Sequence, residues 1–371
     1  METEEKIGWD EESGSYRLPM PANLHVHFRE EPEMMELVIP ETAKRYRYAT
    51  AMPNLGANRI RTPSQAIEYR KKILSIAHKT NPHFDVNVPL YLEPDTAPEV
   101  VREGFERGAW IAAKLYPKAG TTHSDYGLDF NALGVLDEVF EVMQEIGMVL
   151  LVHTELVQEK DGSEIDPFRR EERGLFMVQE ILKRFPDLKV VIEHLSSKKG
   201  VEVVRGWQKK GCPVEATVAP QYLVWNRTRL FQGGLNPADY SIPVLKEEED
   251  RQALVSFLLE GGGFLGTDSA PHPISIKSRG RGCPGGVFNE PVGLSIYFSL
   301  FKDSGREGWF EKFVRFACQK GPAFYGIPAP KEQALLKESP SKVPELFGEG
   351  SGAIEPMGAG ETIPWQIERL A

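Results

Sequence analysis

The sequence predicts an α/β fold, a parallel (β/α)8 barrel of the TIM type with a C-terminal extension. Two patterns carry that prediction. Short apolar runs rich in β-branched residues recur, with longer amphipathic segments between most of them. Polar residues then fall at or just beyond the ends of those runs, which is where such barrels build their active sites. An open doubly wound sheet is the alternative; the barrel is preferred because of where the polar residues fall. The length of 371 residues suits one large barrel with additions.

The elements follow in order. Residues 1–20 form an acidic segment without an apolar run. Strands are expected at 23–28, 47–52, 85–92, 110–116, 148–154, 188–195, 213–219 and 262–268. Helices are expected at 63–79, 96–107, 130–146, 170–185, 198–210 and 247–260. Pro63 suits a first helical position, and Gly147 suits a C-terminal cap. A long polar loop, 155–169, follows the fifth strand. Residues 328–360, rich in Pro, Gly and Ser, read as a loosely packed extension. The expected organisation is therefore the acidic segment 1–20, a barrel over 21–327, and an extension over 328–371 that packs on the barrel. GGGFLG at 261–266 lacks the lysine and following helix of a phosphate loop, and reads as a turn entering a strand.

Composition narrows the function. A formal net charge of -10 disfavours a nucleic-acid partner, because phosphate binding needs a basic surface. No run approaches the ~20 apolar residues of a membrane span. The N-terminus resembles neither a signal nor a transit peptide. Cys212, Cys283 and Cys318 are too few, and wrongly spaced, for a disulfide framework. A cytoplasmic protein acting on a small molecule is expected.

The chemistry is concentrated in polar residues that close apolar runs. In NLHVHFRE, His25, His27 and Arg29 stand two apart, so a strand places them on one face. His153 closes VLLVH, His194 closes VVIEH, and Asp268 lies in FLGTDSAPH. Burying such groups is costly unless they are paired or bind a metal. Imidazoles with a carboxylate suit zinc, with manganese, cobalt or iron also compatible. Lys114, inside WIAAKLYP, either pairs with an acid or joins this cluster with a lowered pKa.

The succession HxHxR, AMPN, AAKLYP, LVH, EH, GTDSAPH and GPAFYG resembles the amidohydrolase superfamily, and within it the shorter, monofunctional dihydroorotase family. The resemblance runs from about residue 22 to 327, and GAGETIPW at 358–365 is similar to the family's tail. It implies reversible cyclisation of N-carbamoyl-L-aspartate to L-dihydroorotate, a step of pyrimidine biosynthesis, at a binuclear metal site with a bridging hydroxide. It implies two zinc ions. His25, His27 and Asp268 would hold one, His153 and His194 the other, and carboxylated Lys114 would bridge them. Asp268 would also be the catalytic proton carrier. Arg29, Asn54 and His272 would hold the substrate's carboxylate, Thr121 and Thr122 would lie on a closing loop, and Ile242 and Pro284 would offer backbone groups to the ring. Tyr222 departs from the family, which more often has histidine there. A homodimer is implied as well. The residues also admit a hydantoinase- or allantoinase-type cyclic amidase, and a non-catalytic scaffold subunit that has lost metal ligands; here all six ligand positions are filled.

Overall fold

A computed structural model describes residues 7–370. Two parallel ladders share the barrel wall. The first pairs Ala22–Val26, Tyr48–Ala51 and Asp85–Asn87. The second pairs Leu90–Tyr91, Ala112–Leu115, Val149–Val152, Val190–Ile192 and Val214–Ala216 in sequence order. The expected strand 85–92 is thus one stave in two pieces, interrupted at Val88 and Pro89. Proline has no N–H for a ladder, which explains the interruption.

The eighth stave closes the ring by single bridges rather than as a regular strand. Phe264 N donates to Ala216 O (3.0 Å) on one side, and Leu24 N donates to Leu265 O (3.1 Å) on the other. Glycine is the reason for both the irregularity and the closeness. A Cβ on Gly266 would lie 2.6 Å from the Thr217 side chain and 3.1 Å from His25 Cβ. The eight staves therefore form the barrel expected from the sequence.

A helix follows each stave. Those not singled out in the sequence are Pro32–Arg45 and Glu290–Asp303. The first carries Pro40 in its interior, which breaks the usual helical signal, yet it buries Met34, Met35, Val38 and Ile39. The expected helix 130–146 begins instead as a 3-10 segment, Phe130–Leu136, and becomes α-helical at Asp137–Glu145. Asp137 and Glu138 favour a helix N-terminus there, and Gly134 weakens the turn before it. Thr62 and Gln65 form a reciprocal capping box at the start of Pro63–Ala77.

The two chain ends meet. Gly8–Asp10, Ser15–Pro19, Gln333–Lys342 and Thr362–Arg369 form one antiparallel sheet beside the barrel. Tyr16 sits in an aromatic cluster with Phe298, Trp309, Phe310 and Trp365. The glycines of 328–360 lie outside the strand Gln333–Lys342, in which Ala334 and Leu336 are buried. Trp365→Ala is expected to lower unfolding free energy by about 3 kcal/mol in denaturant titration, with bound metal per chain unchanged.

Candidate active site

Inward-facing positions on parallel strands rise in columns, two residues per step. Ala112 leads to Lys114 on the fourth stave, and Val149 and Leu151 lead to His153 on the fifth. The apolar members of these columns form a small cluster inside the barrel with Ala22, Leu24, Val191 and Phe264. The polar members stand above it, at the C-terminal ends of the strands. On the first stave the ladder register shifts between Asn23 and Val26. Asn23 donates outward to Glu290 (3.2 Å), while His25 reaches the centre of the mouth.

There His25 Nε2 and His27 Nε2 lie 3.2 and 3.3 Å from Asp268 Oδ1. One ligating atom from each of the three residues can be enclosed within 4.8 Å. His153 Nδ1 lies 3.0 Å from His194 Nε2, and the His25 and His194 ring centres are 5.3 Å apart. Lys114 has no exposed surface. Its Nζ has no hydrogen-bond partner, and neither does His194 Nδ1. The pairing of Lys114 with an acid, left open by the sequence, is thus not made as a direct contact. Burial brings the Lys114 amine down to about 8 against the pull of Glu193 and Asp268. Burial, reinforced by His153, likewise holds His194 well below the ordinary imidazole value. Burial brings His27 down to about 3, with Arg29 adding to the effect. For Asp268 burial acts upward, but His25 and His27 outweigh it, so the carboxyl stays well below its usual range.

The backbone is bent to make this arrangement. Among the described residues the non-glycine positions with left-handed φ are Arg29 (61°), Ala119 (57°), His123 (55°), His194 (40°) and Asp268 (48°). Three of these are predicted site residues and two lie in the loop 117–128. Such conformations persist where the surrounding structure over-determines them, and they collect at functional sites.

A second group lies around Arg29. Its Nε donates to Pro271 O (2.9 Å) and its Nη2 meets His272 Nε2 (2.9 Å), so it is buried rather than paired with Glu30 or Glu31. Burial, then the charges of Arg29 and Lys277, lowers the His272 pKa and keeps the ring neutral. Asn54 is buried, donates from Nδ2 to Thr122 O (2.9 Å), and leaves Oδ1 without a partner. Thr122 Oγ1 donates to Gly285 O (3.4 Å), which ties the loop 117–128 across to the segment that carries Pro284. Thr121 N donates to Ser124 Oγ (2.9 Å) within its own loop. The Ile242 side chain packs against Gly285, where an added Cβ would lie 2.4 Å from it. The Pro284 carbonyl already accepts from Lys277 Nζ (3.1 Å). Tyr222 donates its hydroxyl to Pro243 O (2.6 Å) and touches none of the cluster in this way.

Glu193 was not anticipated. It is fully buried, holds His25 Nδ1 at 2.5 Å, and accepts from Thr217 Oγ1 (2.8 Å). A carboxylate on the second imidazole nitrogen fixes the tautomer that leaves Nε2 free to ligate. Its signal in the sequence was an acid inside the apolar run VVIEH.

The donor set fits a metal. Imidazole and carboxylate atoms converge, and a buried amine and a buried imidazole nitrogen stand without partners in the same mouth. A barrel with such a cluster at its strand ends defines a class, the metal-dependent amidohydrolases. No protein-family model matches the chain. It is 41% identical over 352 residues to the mitochondrial dihydroorotase of Arabidopsis thaliana, covering 94% of this chain and 90% of that one. It is 37% identical to a dihydroorotase of Halorhodospira halophila, covering 95% and 98%. The fold superposes on dihydroorotase of Saccharomyces cerevisiae with a TM-score of 0.87 at 28% identity, over 96% and 98% of the two chains. An L-hydantoinase of Arthrobacter aurescens shares the fold at a TM-score of 0.79 and 18% identity, over 96% and 84%. The chain belongs to the dihydroorotase family. Among the described residues no helix is long and apolar enough to cross a membrane.

The unpartnered amine has a measurable cost. In the metal-free protein, Lys114→Met is expected to raise unfolding free energy by about 1–3 kcal/mol in urea titration, because it removes a buried polar group. The same substitution is expected to lower the metal retained after dialysis.

Proposed function

We infer that this chain is a dihydroorotase, interconverting L-dihydroorotate and N-carbamoyl-L-aspartate with gain or loss of water. The observation that carries the reading is the His25–His27–Asp268 cluster, set in a family member with Arg29 and His272 in contact nearby. His25, His27 and Asp268 would hold one divalent ion, His153 and His194 a second, and Lys114, carboxylated on Nζ, would add an anionic ligand. Zinc suits these donors. When bound, the ions supply Lewis acidity and a hydroxide nucleophile at neutral pH.

The chain's own residues do the rest. Arg29, Asn54 and His272 bind the ring carboxylate, Arg29 through its charge and Asn54 through its polar head. That binding fixes the ring amide over the cluster, and its energy is used for orientation. Asp268 takes the remaining proton of the attacking hydroxide as the C–O bond forms. It then returns that proton to the ring nitrogen as the C–N bond breaks. In the other direction the same carboxylate takes a proton from the ureido nitrogen as that nitrogen bonds to the side-chain carboxyl carbon, and gives it to the carboxyl oxygen that leaves as hydroxide. Thr121 and Thr122, on the loop 117–128, shield the site from bulk water. Ile242 and Pro284 flank the ring through their backbone. The family resemblance further supports a homodimer, which sedimentation measures directly. The three free cysteines support a reducing, cytoplasmic setting.

The deciding experiment is hydrolysis of dihydroorotate by the purified chain. Turnover should vanish with a chelator and return on adding zinc. Preferential turnover of hydantoin or allantoin would instead favour another cyclic amidase. A metal-free, inactive protein that co-purifies with a partner would favour the scaffold. Asp268→Ala should lower kcat by roughly 100-fold or more while the chain stays folded. Arg29→Met should raise KM by about tenfold or more, and an unchanged KM would contradict the carboxylate assignment.

A further inference from the structure

Lys277 ends the short helix Ile274–Lys277, five residues beyond His272. Its side chain is buried, with 6% exposure. Among the described residues no carboxylate forms an ion pair with it. An ammonium has three N–H donors and no acceptor. Here all three are committed to backbone carbonyls: Tyr240 O at 2.8 Å, Gly286 O at 2.9 Å and Pro284 O at 3.1 Å.

Those carbonyls belong to two segments far apart in sequence. Tyr240 stands two residues before Ile242, and Gly286 N donates back to Tyr240 O (2.9 Å). Pro284 and Gly286 bracket Gly285. With its two neighbours' carbonyls on Lys277, the Gly285 carbonyl is the one turned toward His272 and Thr122. It meets His272 Nε2 at 3.2 Å and Thr122 Oγ1 at 3.4 Å. The segment is threaded closely. A Cβ on Gly285 would lie 2.4 Å from the Ile242 side chain, and one on Gly286 would lie 2.4 Å from Ala270 O. A chain so confined has few alternatives once its carbonyls are fixed. Without the ammonium, the Pro284 and Gly286 carbonyls would lose their N–H donor, and Tyr240 O would keep only that of Gly286.

We propose that Lys277 is a positioning residue for substrate binding: by clamping the carbonyls of Tyr240, Pro284 and Gly286 it aims the Gly285 carbonyl at His272 and Thr122, and so shapes the pocket for the substrate's carboxylate. The inference rests on the assignment of Arg29, Asn54 and His272 to that carboxylate. Lys277 touches neither substrate nor metal. Its effect therefore belongs in binding and not in the chemical step.

The test uses the full chain loaded with zinc, as wild type, Lys277→Met and Lys277→Arg. Steady-state kinetics with dihydroorotate are paired with calorimetric binding of orotate, which carries the same ring carboxylate. Lys277→Met should keep its zinc and a kcat within about twofold of wild type, the pattern of a lost ground-state binding interaction. Its KM and its orotate Kd should both rise about tenfold or more. Lys277→Arg keeps the charge but replaces three-point donation by a planar fork, and its KM should rise about threefold. If Lys277→Met does not fold, the Arg variant decides alone. An unchanged KM and Kd in the folded variants would overturn the proposal. So would zinc content and kcat falling together with binding, which would make Lys277 a structural residue. A wild-type chain that leaves dihydroorotate intact would overturn the functional reading itself. Unaffected variants of an active wild type would overturn only the role of Lys277.

Discussion

A buried amine without a hydrogen-bond partner is the constraint on which the site turns. Lys114 lies in the inner wall of the barrel with its Nζ unbonded, beside a buried His194 whose Nδ1 is also unbonded. Leaving one such group dry and unpaired costs on the order of 1–3 kcal/mol. A barrel selected for stability alone has better residues for that wall, as the apolar neighbours Ala112, Val149 and Leu151 show. A cation held in the mouth would offset part of that cost. The family to which the chain belongs, and the convergence of His25, His27 and Asp268, both agree with that solution.

The scaffold is what makes the convergence possible. Parallel strands lift alternate side chains to one level, so Lys114 and His153 need only follow small apolar residues in their columns. His194 and Asp268 lie beyond regular strand geometry, and both take left-handed φ values that non-glycine residues rarely adopt. Behind them the support is polar and fully buried. Glu193 holds His25 from one side, and Thr217 bonds Glu193 while accepting from His194 N (2.8 Å). The groups assigned to the substrate's carboxylate are backed in the same way: Pro271 O accepts from Arg29 Nε, and Gly285 O lies 3.2 Å from His272 Nε2, the nitrogen that also faces Arg29 Nη2. Precision at the mouth is therefore spread over a layer of residues that make no contact with the chemistry.

The barrel was legible because its signal is repeated. Each stave is short and apolar, and each leaves a polar residue at the same end. The histidines and Asp268 were legible for the same reason, since each closes an apolar run where a polar group is out of place. Irregular features were harder to see. Pro40 hid the helix Pro32–Arg45, and the glycines of 261–266 hid how loosely the last stave pairs. The sheet joining the two ends could not be read from either end, because its partners are more than 300 residues apart, as with Leu18 and Ala334. Glu193 shows only as an acid inside an apolar run, and Lys277 looks ordinary in sequence. Their meaning lies in which atoms they reach, and no periodicity carries that information.

The central claim is that the mouth cages a pair of cations bridged through Lys114. Anomalous X-ray diffraction from crystals of the zinc-loaded chain tests it most directly. Two anomalous peaks should appear, one among His25, His27 and Asp268 and one at His153 and His194, with extra density continuous with Lys114 Nζ between them. A single peak, peaks elsewhere, or an unmodified Lys114 turned away from the ions would contradict it.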